Sequence, residues 1–174
     1  MKKLLSMLAM IMMVLLSSAV LAKTPPGFYN IKDPAHIGLG GLKPLFSYTQ
    51  VYNIYGEPTE IYRTKNPESN ALFDEPFYYV YAYYGKTVKL SFIMLSKSKE
   101  TRLYKIESTG NNGWKTPDGL TVGMKEAEMK NILGPSFKRD DKPECHYYNW
   151  EGWSLIFTVK DGVITEIVCL GEAS

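Results

Sequence analysis

The chain has 174 residues, with 20 Lys+Arg against 18 Asp+Glu, two cysteines and 13 tyrosines. That length suits one domain or two very small ones, and an aromatic fraction of 13% is too high for a disordered chain. A charge so close to balance disfavours nucleic acid as a partner.

Residues 1–22, MKKLLSMLAMIMMVLLSSAVLA, read as a secretory signal peptide. Lys2 and Lys3 form its basic start, and Leu4 to Leu16 its apolar stretch, which is too short to cross a bilayer as a stable helix. Val20 and Ala22 provide small residues for cleavage, so the mature chain is expected to begin at Lys23 in the periplasm or outside the cell, with no stable membrane span. Lys2 and Lys3 leave with the signal, so the 20 basic groups fall to 18 and equal the 18 acidic ones. Cys145 and Cys169 would then share an oxidising compartment, where a disulfide is expected. Closing that loop would stabilise the chain by about 3.5 kcal/mol in the chain-entropy view.

Residues 23–40, with Pro25, Pro26, Gly27 and Pro34, read as an irregular N-terminal arm. Beyond it the chain repeats itself at an offset of 78 residues. Gly41, Leu42, Asn53, Ile54 and Gly56 match Gly119, Leu120, Asn131, Ile132 and Gly134, which divides the chain into modules 41–108 and 119–174 joined by a linker, 109–118. Each copy predicts a short helix ended by glycine and followed by proline. Val51, Ile54 and Tyr55 precede Gly56 and Pro58; Met129, Ile132 and Leu133 precede Gly134 and Pro135.

After polar loops at 63–75 and 136–144, each copy predicts a hairpin. In the first, Phe77 to Tyr84 and Thr87 to Leu95 flank Gly85-Lys86, read as a two-residue turn. That turn opposes Tyr83 to Val88, Tyr81 to Leu90, Tyr79 to Phe92 and Phe77 to Met94 as the core face. Tyr78, Val80, Ala82, Tyr84 and Lys89 then point outward. In the second, Glu151-Gly152 joins Trp150 to Trp153, with His146, Tyr148, Leu155 and Phe157 toward the core and Tyr147 and Ile156 outward. A last strand runs from Val163 to Leu170. A three-residue turn would turn Val163, Thr165, Ile167 and Cys169 toward the core and a two-residue turn would reverse them, and both remain open.

The segment Gly123-Met124-Lys125-Glu126, then Leu133-Gly134-Pro135, a tyrosine-rich hairpin and Asp161-Gly162-Val163-Ile164-Thr165-Glu166-Ile167 resembles a group of exported bacterial modules. These are the β-lactamase inhibitor protein and its relatives, including the outer-membrane assembly lipoproteins of the SmpA/OmlA type. The resemblance is best over Gly119 to Leu170. It implies an α+β, inhibitor-protein-like fold, in which a tandem repeat of a short helix unit packs on an antiparallel sheet. It further implies a non-enzymatic role in gripping another protein. The lipid-bearing cysteine of the lipoproteins is absent, and the first copy has no cysteine.

The inventory for chemistry is thin, so no catalytic residue, metal site or cofactor is expected. His36 and His146 read as structural, Asp140-Asp141 sits in a mixed-charge run, and no nucleophile elbow or phosphate loop occurs. The expectation is an exported, non-catalytic, inhibitor-like or envelope-assembly-like module that binds a protein through outward aromatics and loops. Its candidate contacts are Tyr78, Tyr84, Lys89, Trp114, Tyr147 and Ile156. Trp114 would serve either as an interface anchor or as a plug between the copies. The alternative is a periplasmic binder of small ligands or glycans, since aromatic faces also stack on sugars.

Overall fold

Two helices form where the repeat places them, and for local reasons. Ser47 accepts a hydrogen bond from the Gln50 amide while the Gln50 side chain accepts one from the Ser47 amide, a capping box that starts α1, Tyr48–Tyr55. Glu128 reaches back to the Lys125 amide at 3.0 Å at the head of α2, Glu126–Leu133. Gly56 and Gly134 follow with φ of +73° and +78°, a conformation that favours glycine, and their amides close each last turn. The helix bounds are themselves 78 residues apart.

The structure, a computed structural model, describes residues 33–69 and 73–171. The expected export signal and residues 23–32 of the arm lie outside the described residues. The strands are β1 (Glu60–Arg63), β2 (Phe77–Tyr84), β3 (Val88–Leu95) and β4 (Thr101–Ser108), then β5 (Phe137–Arg139), β6 (Lys142–Trp150), β7 (Trp153–Lys160) and β8 (Val163–Gly171). They make a single eight-stranded antiparallel sheet in the order β1-β2-β3-β4-β8-β7-β6-β5.

That sheet corrects the expected α+β repeat of helix units. The fold is sheet-dominated, with two eight-residue α-helices and a three-residue 3-10 turn, Pro34–His36, among the described residues. The two four-stranded meanders fuse through β4 and β8, where Lys105 to Ser108 pair antiparallel with Leu170 to Ile167. Fusion removes two inner edges and leaves the short β1 and β5 as the sheet edges among the described residues. Neither edge strand is legible as a strand: β5 lies inside the expected 136–144 loop, and β1 runs into the start of the other polar loop at Arg63.

One apolar cluster on the helix side spans both halves, with Val51 and Met129 from the helices over Phe92, Leu103, Tyr148, Phe157 and Ile167. Ile54 and Ile132, expected on the buried helix face, are about half exposed. An eight-residue helix lying flat on a sheet buries a narrow stripe, here the i and i+4 positions.

The first hairpin departs from expectation in a way that reverses a strand. Tyr84 pairs with Val88, so Gly85, Lys86 and Thr87 all belong to the turn. The slip of one residue sends Tyr78, Val80, Ala82 and Tyr84 to the helix side, opposite Met94, Phe92, Leu90 and Val88, and turns Phe77, Tyr79, Tyr81 and Tyr83 the other way. Val80 and Ala82 are buried in the helix-side cluster together with Val51. On the far side the Tyr79 hydroxyl lies within reach of the Glu68 carboxylate.

The second hairpin agrees with its expected two-residue Glu151-Gly152 turn, pairing Trp150 with Trp153, Tyr148 with Leu155 and His146 with Phe157. For β8, the turn at Asp161-Gly162 has two residues, and a bulge after Thr158 then restores parity. Ile164, Ile167 and Cys169 consequently all face the core.

The expected disulfide is not formed: both thiols are free and buried. β7 lies between β6 and β8, so the two chains are about 9.6 Å apart. Cys145 pairs with Thr158 and Cys169 with Leu155, three residues further along, roughly 10 Å more. Bridging needs Cα atoms within about 7 Å.

Candidate functional site

The sheet face opposite the helices carries a row of side chains that crosses every strand. From the β1 edge it runs Glu60, Tyr83, Lys89 and Glu107. It continues past the β4·β8 joint through Val168, Ile156, Tyr147 and Phe137. Directly paired residues share a face, so the antiparallel register brings both halves into one surface. Among the described residues no helix is long and apolar enough to cross a membrane.

Aromatic residues concentrate at the first half of this surface. Tyr62, 51% exposed on the edge strand, lies parallel to Tyr81 with ring centroids 6.1 Å apart and planes at 13°. Tyr81 lies parallel to Tyr79 at 6.3 Å and 18°, and Tyr79 meets Phe77 edge-on at 5.3 Å and Tyr104 at 5.8 Å. Phe77, Ile93 and Leu95 form a second, smaller buried cluster beneath Phe73, Tyr79 and Tyr104. The rings are thus held by one another, at about 0.5–1.5 kcal/mol per pair, and present a rigid face.

Charge sits at the centre. Lys89 and Lys105 both approach Glu107, with Nζ to carboxylate distances of 3.7 and 2.7 Å, and the Lys89 ammonium stands 4.8 Å above the Tyr81 ring. Two ammonium groups against one carboxylate leave this centre positive. Burial pushes the Tyr104 phenol up to about 12, helped by Tyr81, and burial also raises Tyr79, with Glu68 adding to it. These phenols remain neutral donors at any physiological pH.

Of the six residues expected to touch a partner, Lys89, Tyr147 and Ile156 lie in this row. Tyr78 and Tyr84 do not. Tyr84 packs on the core and its hydroxyl donates to the Gly56 carbonyl at 3.1 Å, while the Tyr78 ring lies 4.8 Å from the Arg63 guanidinium on the helix side. Trp114 is inside: 9% exposed, it stacks on Tyr55 at 4.6 Å and covers Gly40, whose Cα has no room for a side chain. It is therefore placed as a plug, with its amide held by Asn112 and its carbonyl by Thr121.

Tyr62, Tyr79, Tyr81, Tyr83 and Tyr104 were not singled out by sequence reasoning, three of them because the turn was read one residue short. Phenolic hydroxyls do not separate the two faces, because Tyr78 and Tyr84 carry them on the helix side as Tyr79, Tyr81 and Tyr83 do on the other.

No family model, curated protein or solved structure matches the chain.

Proposed function

We propose that the chain is an exported binding module that holds a protein partner on the sheet face opposite its helices. The single observation that carries this reading is the eight-strand row, which joins the tyrosine platform of the first half to Ile156 and Tyr147 of the second around a positive centre. Ring-on-ring contacts fix the tyrosines before binding, so a partner gains aromatic contact area at little entropic cost. The sequence resemblance to inhibitor-like modules points the same way, and no bond-breaking step is required of this face.

The test is capture from a cell-envelope extract by the wild type and by a Tyr81→Ser/Tyr83→Ser/Tyr147→Ser variant, with Ile54→Ser/Ile132→Ser on the helix side as control. Loss of the same captured proteins with the first variant only is expected. Retention of every captured protein by the sheet-face variant overturns the reading.

A second reading, glycan binding, is favoured by the parallel strip Tyr62, Tyr81 and Tyr79. Quenching of tyrosine fluorescence by soluble oligosaccharides, abolished by Tyr81→Ser, would support it over a protein partner.

A further inference from the structure

Away from that face, where α2 crosses β6, three polar side chains are linked on the helix side of the sheet. The His146 imidazole is 1% exposed; its Nε2 lies 3.1 Å from Glu126 Oε1 and its Nδ1 2.7 Å from Ser136 Oγ. The Lys130 ammonium, 2.5 Å from the same Glu126 oxygen, holds that carboxyl below the usual carboxylate range, so it is ionised at neutral pH. A carboxylate can only accept, which puts the imidazole proton on Nε2. Nδ1 is then the acceptor, and the Ser136 hydroxyl must donate to it. Burial, reinforced by Lys138 and Lys130, lowers the affinity of His146 for a second proton and outweighs Glu126, leaving the ring neutral and able to accept a proton.

Ser136 opens onto a surface depression of about 410 Å³ lined by Lys130, Gly134, Pro135, Ser136 and Lys138. Lys130 and Lys138 use one contact each, to Glu126 and to the Pro143 carbonyl, and an ammonium has three donors. The fold does not need this polar cluster. At the same places in the first half stand Tyr48, 78 residues before Glu126, and Val80, which pairs with Phe92 as His146 pairs with Phe157. Tyr48 packs edge-on against Phe92 at 5.7 Å, an apolar solution to the same contact.

We propose that Ser136 is a nucleophile, with His146 as its general base and Glu126 as the residue that orients the imidazole, and that it takes the acyl group of a small, negatively charged ester. Ser136 Oγ forms a bond to the acyl carbon as its proton passes to His146 Nδ1. The tetrahedral adduct expels the alcohol, whose oxygen receives that proton as the ester C–O bond breaks. Water then repeats the sequence on the Ser136 ester and releases the acid. Glu126 stays ionised throughout and stabilises the imidazolium. Lys130 and Lys138 draw the substrate's negative charge into the depression. This site is separate from the sheet face, and its failure leaves the binding reading untouched.

The experiment incubates the protein with the mono-p-nitrophenyl ester of succinate, following p-nitrophenol release and mapping the acylated residue by peptide mass spectrometry. A succinyl ester on Ser136 is expected, absent in Ser136→Ala and formed about a hundred-fold or more slowly in His146→Gln, with circular dichroism unchanged. Release no faster than in buffer, acylation confined to Lys130 or Lys138, or Ser136 acylation at the wild-type rate in a folded His146→Gln protein would each overturn the proposal. Should His146→Gln not fold, the mapped residue in the wild type and the Ser136→Ala comparison decide.

Discussion

The reversed parity of β2 is open to a direct test, by placing the same charge on two adjacent residues of one strand. Ala82 is fully buried against Leu90 in the main core, while Tyr83 sits on the opposite face between Glu60 and Lys89. Ala82→Asp would set a carboxyl among apolar side chains. To remain neutral at pH 7 against an unfolded-state value near 3.9, that carboxyl must hold its proton across about three pH units, at roughly 1.4 kcal/mol each, a cost of about 4 kcal/mol. Against the 5–15 kcal/mol that stabilises a typical domain this is a large fraction. It corresponds to a fall of about 8–16 °C in Tm. Tyr83→Asp loses partial burial but leaves its carboxylate in water near the Lys89 ammonium, and should cost about 1 kcal/mol.

The low strand propensity of Asp applies equally to both variants and cancels in the comparison. Because the folded state of Ala82→Asp holds a proton that the unfolded state releases, its deficit shrinks by about 1.4 kcal/mol per unit as pH falls toward 4. Urea unfolding followed by tryptophan fluorescence, at pH 7 and pH 5, measures both. If Tyr83→Asp were the more damaging variant, the turn would have two residues, the tyrosines would line the core, and the platform described above would not exist.

Three further outcomes follow from packing and titration. Trp114→Ala removes the stacked partner of Tyr55 and the cover of Gly40, and should lower stability by about 3–5 kcal/mol, seen as a lower urea midpoint at constant m. His146 binds its second proton less readily folded than unfolded, chiefly through burial and then Lys138. Stability should accordingly fall as pH drops below about 6.5, the unfolded value, and the part due to this group should vanish in His146→Gln. Reduction should leave the mass of the protein unchanged, because Cys145 and Cys169 are free. Burial pushes the Cys169 thiol up to about 12, so a thiol reagent should modify it only after unfolding.

How legible the site was can be judged residue by residue. Lys89 was assigned to the correct face because β3 alternates: Lys89 and Ser91 are polar, Val88, Leu90 and Phe92 apolar, and only one parity buries the apolar set. Tyr147 and Ile156 followed from the tight Glu151-Gly152 turn, whose φ values of +21° and +80° fit a two-residue connection. β2 offered no such contrast. All eight of its residues are apolar or aromatic, so its parity hung on a turn length, and Gly85 serves a two-residue or a three-residue turn equally well. The same ambiguity left β8 undecided, and there a bulge after Thr158 served both alternatives in turn.

By itself the sequence determined what depends on neighbours along the chain. The two helices, their glycine stops, the hairpin of the second half and the alternation of β3 all rest on interactions spanning a few residues, and the 78-residue repeat is read directly from matching residues. Only the tertiary structure decided what depends on pairing between distant segments. The antiparallel joint of β4 with β8 turns two meanders into one sheet and one row of side chains, and the placing of β7 between β6 and β8 keeps Cys145 and Cys169 too far apart to bridge. It is the folding of α2 against β6 that carries Glu126 and Ser136 to opposite nitrogens of His146. Periodicity reports which side of an element is buried, whereas register between strands is set by turn length and bulges, where one residue more or less reverses every side chain.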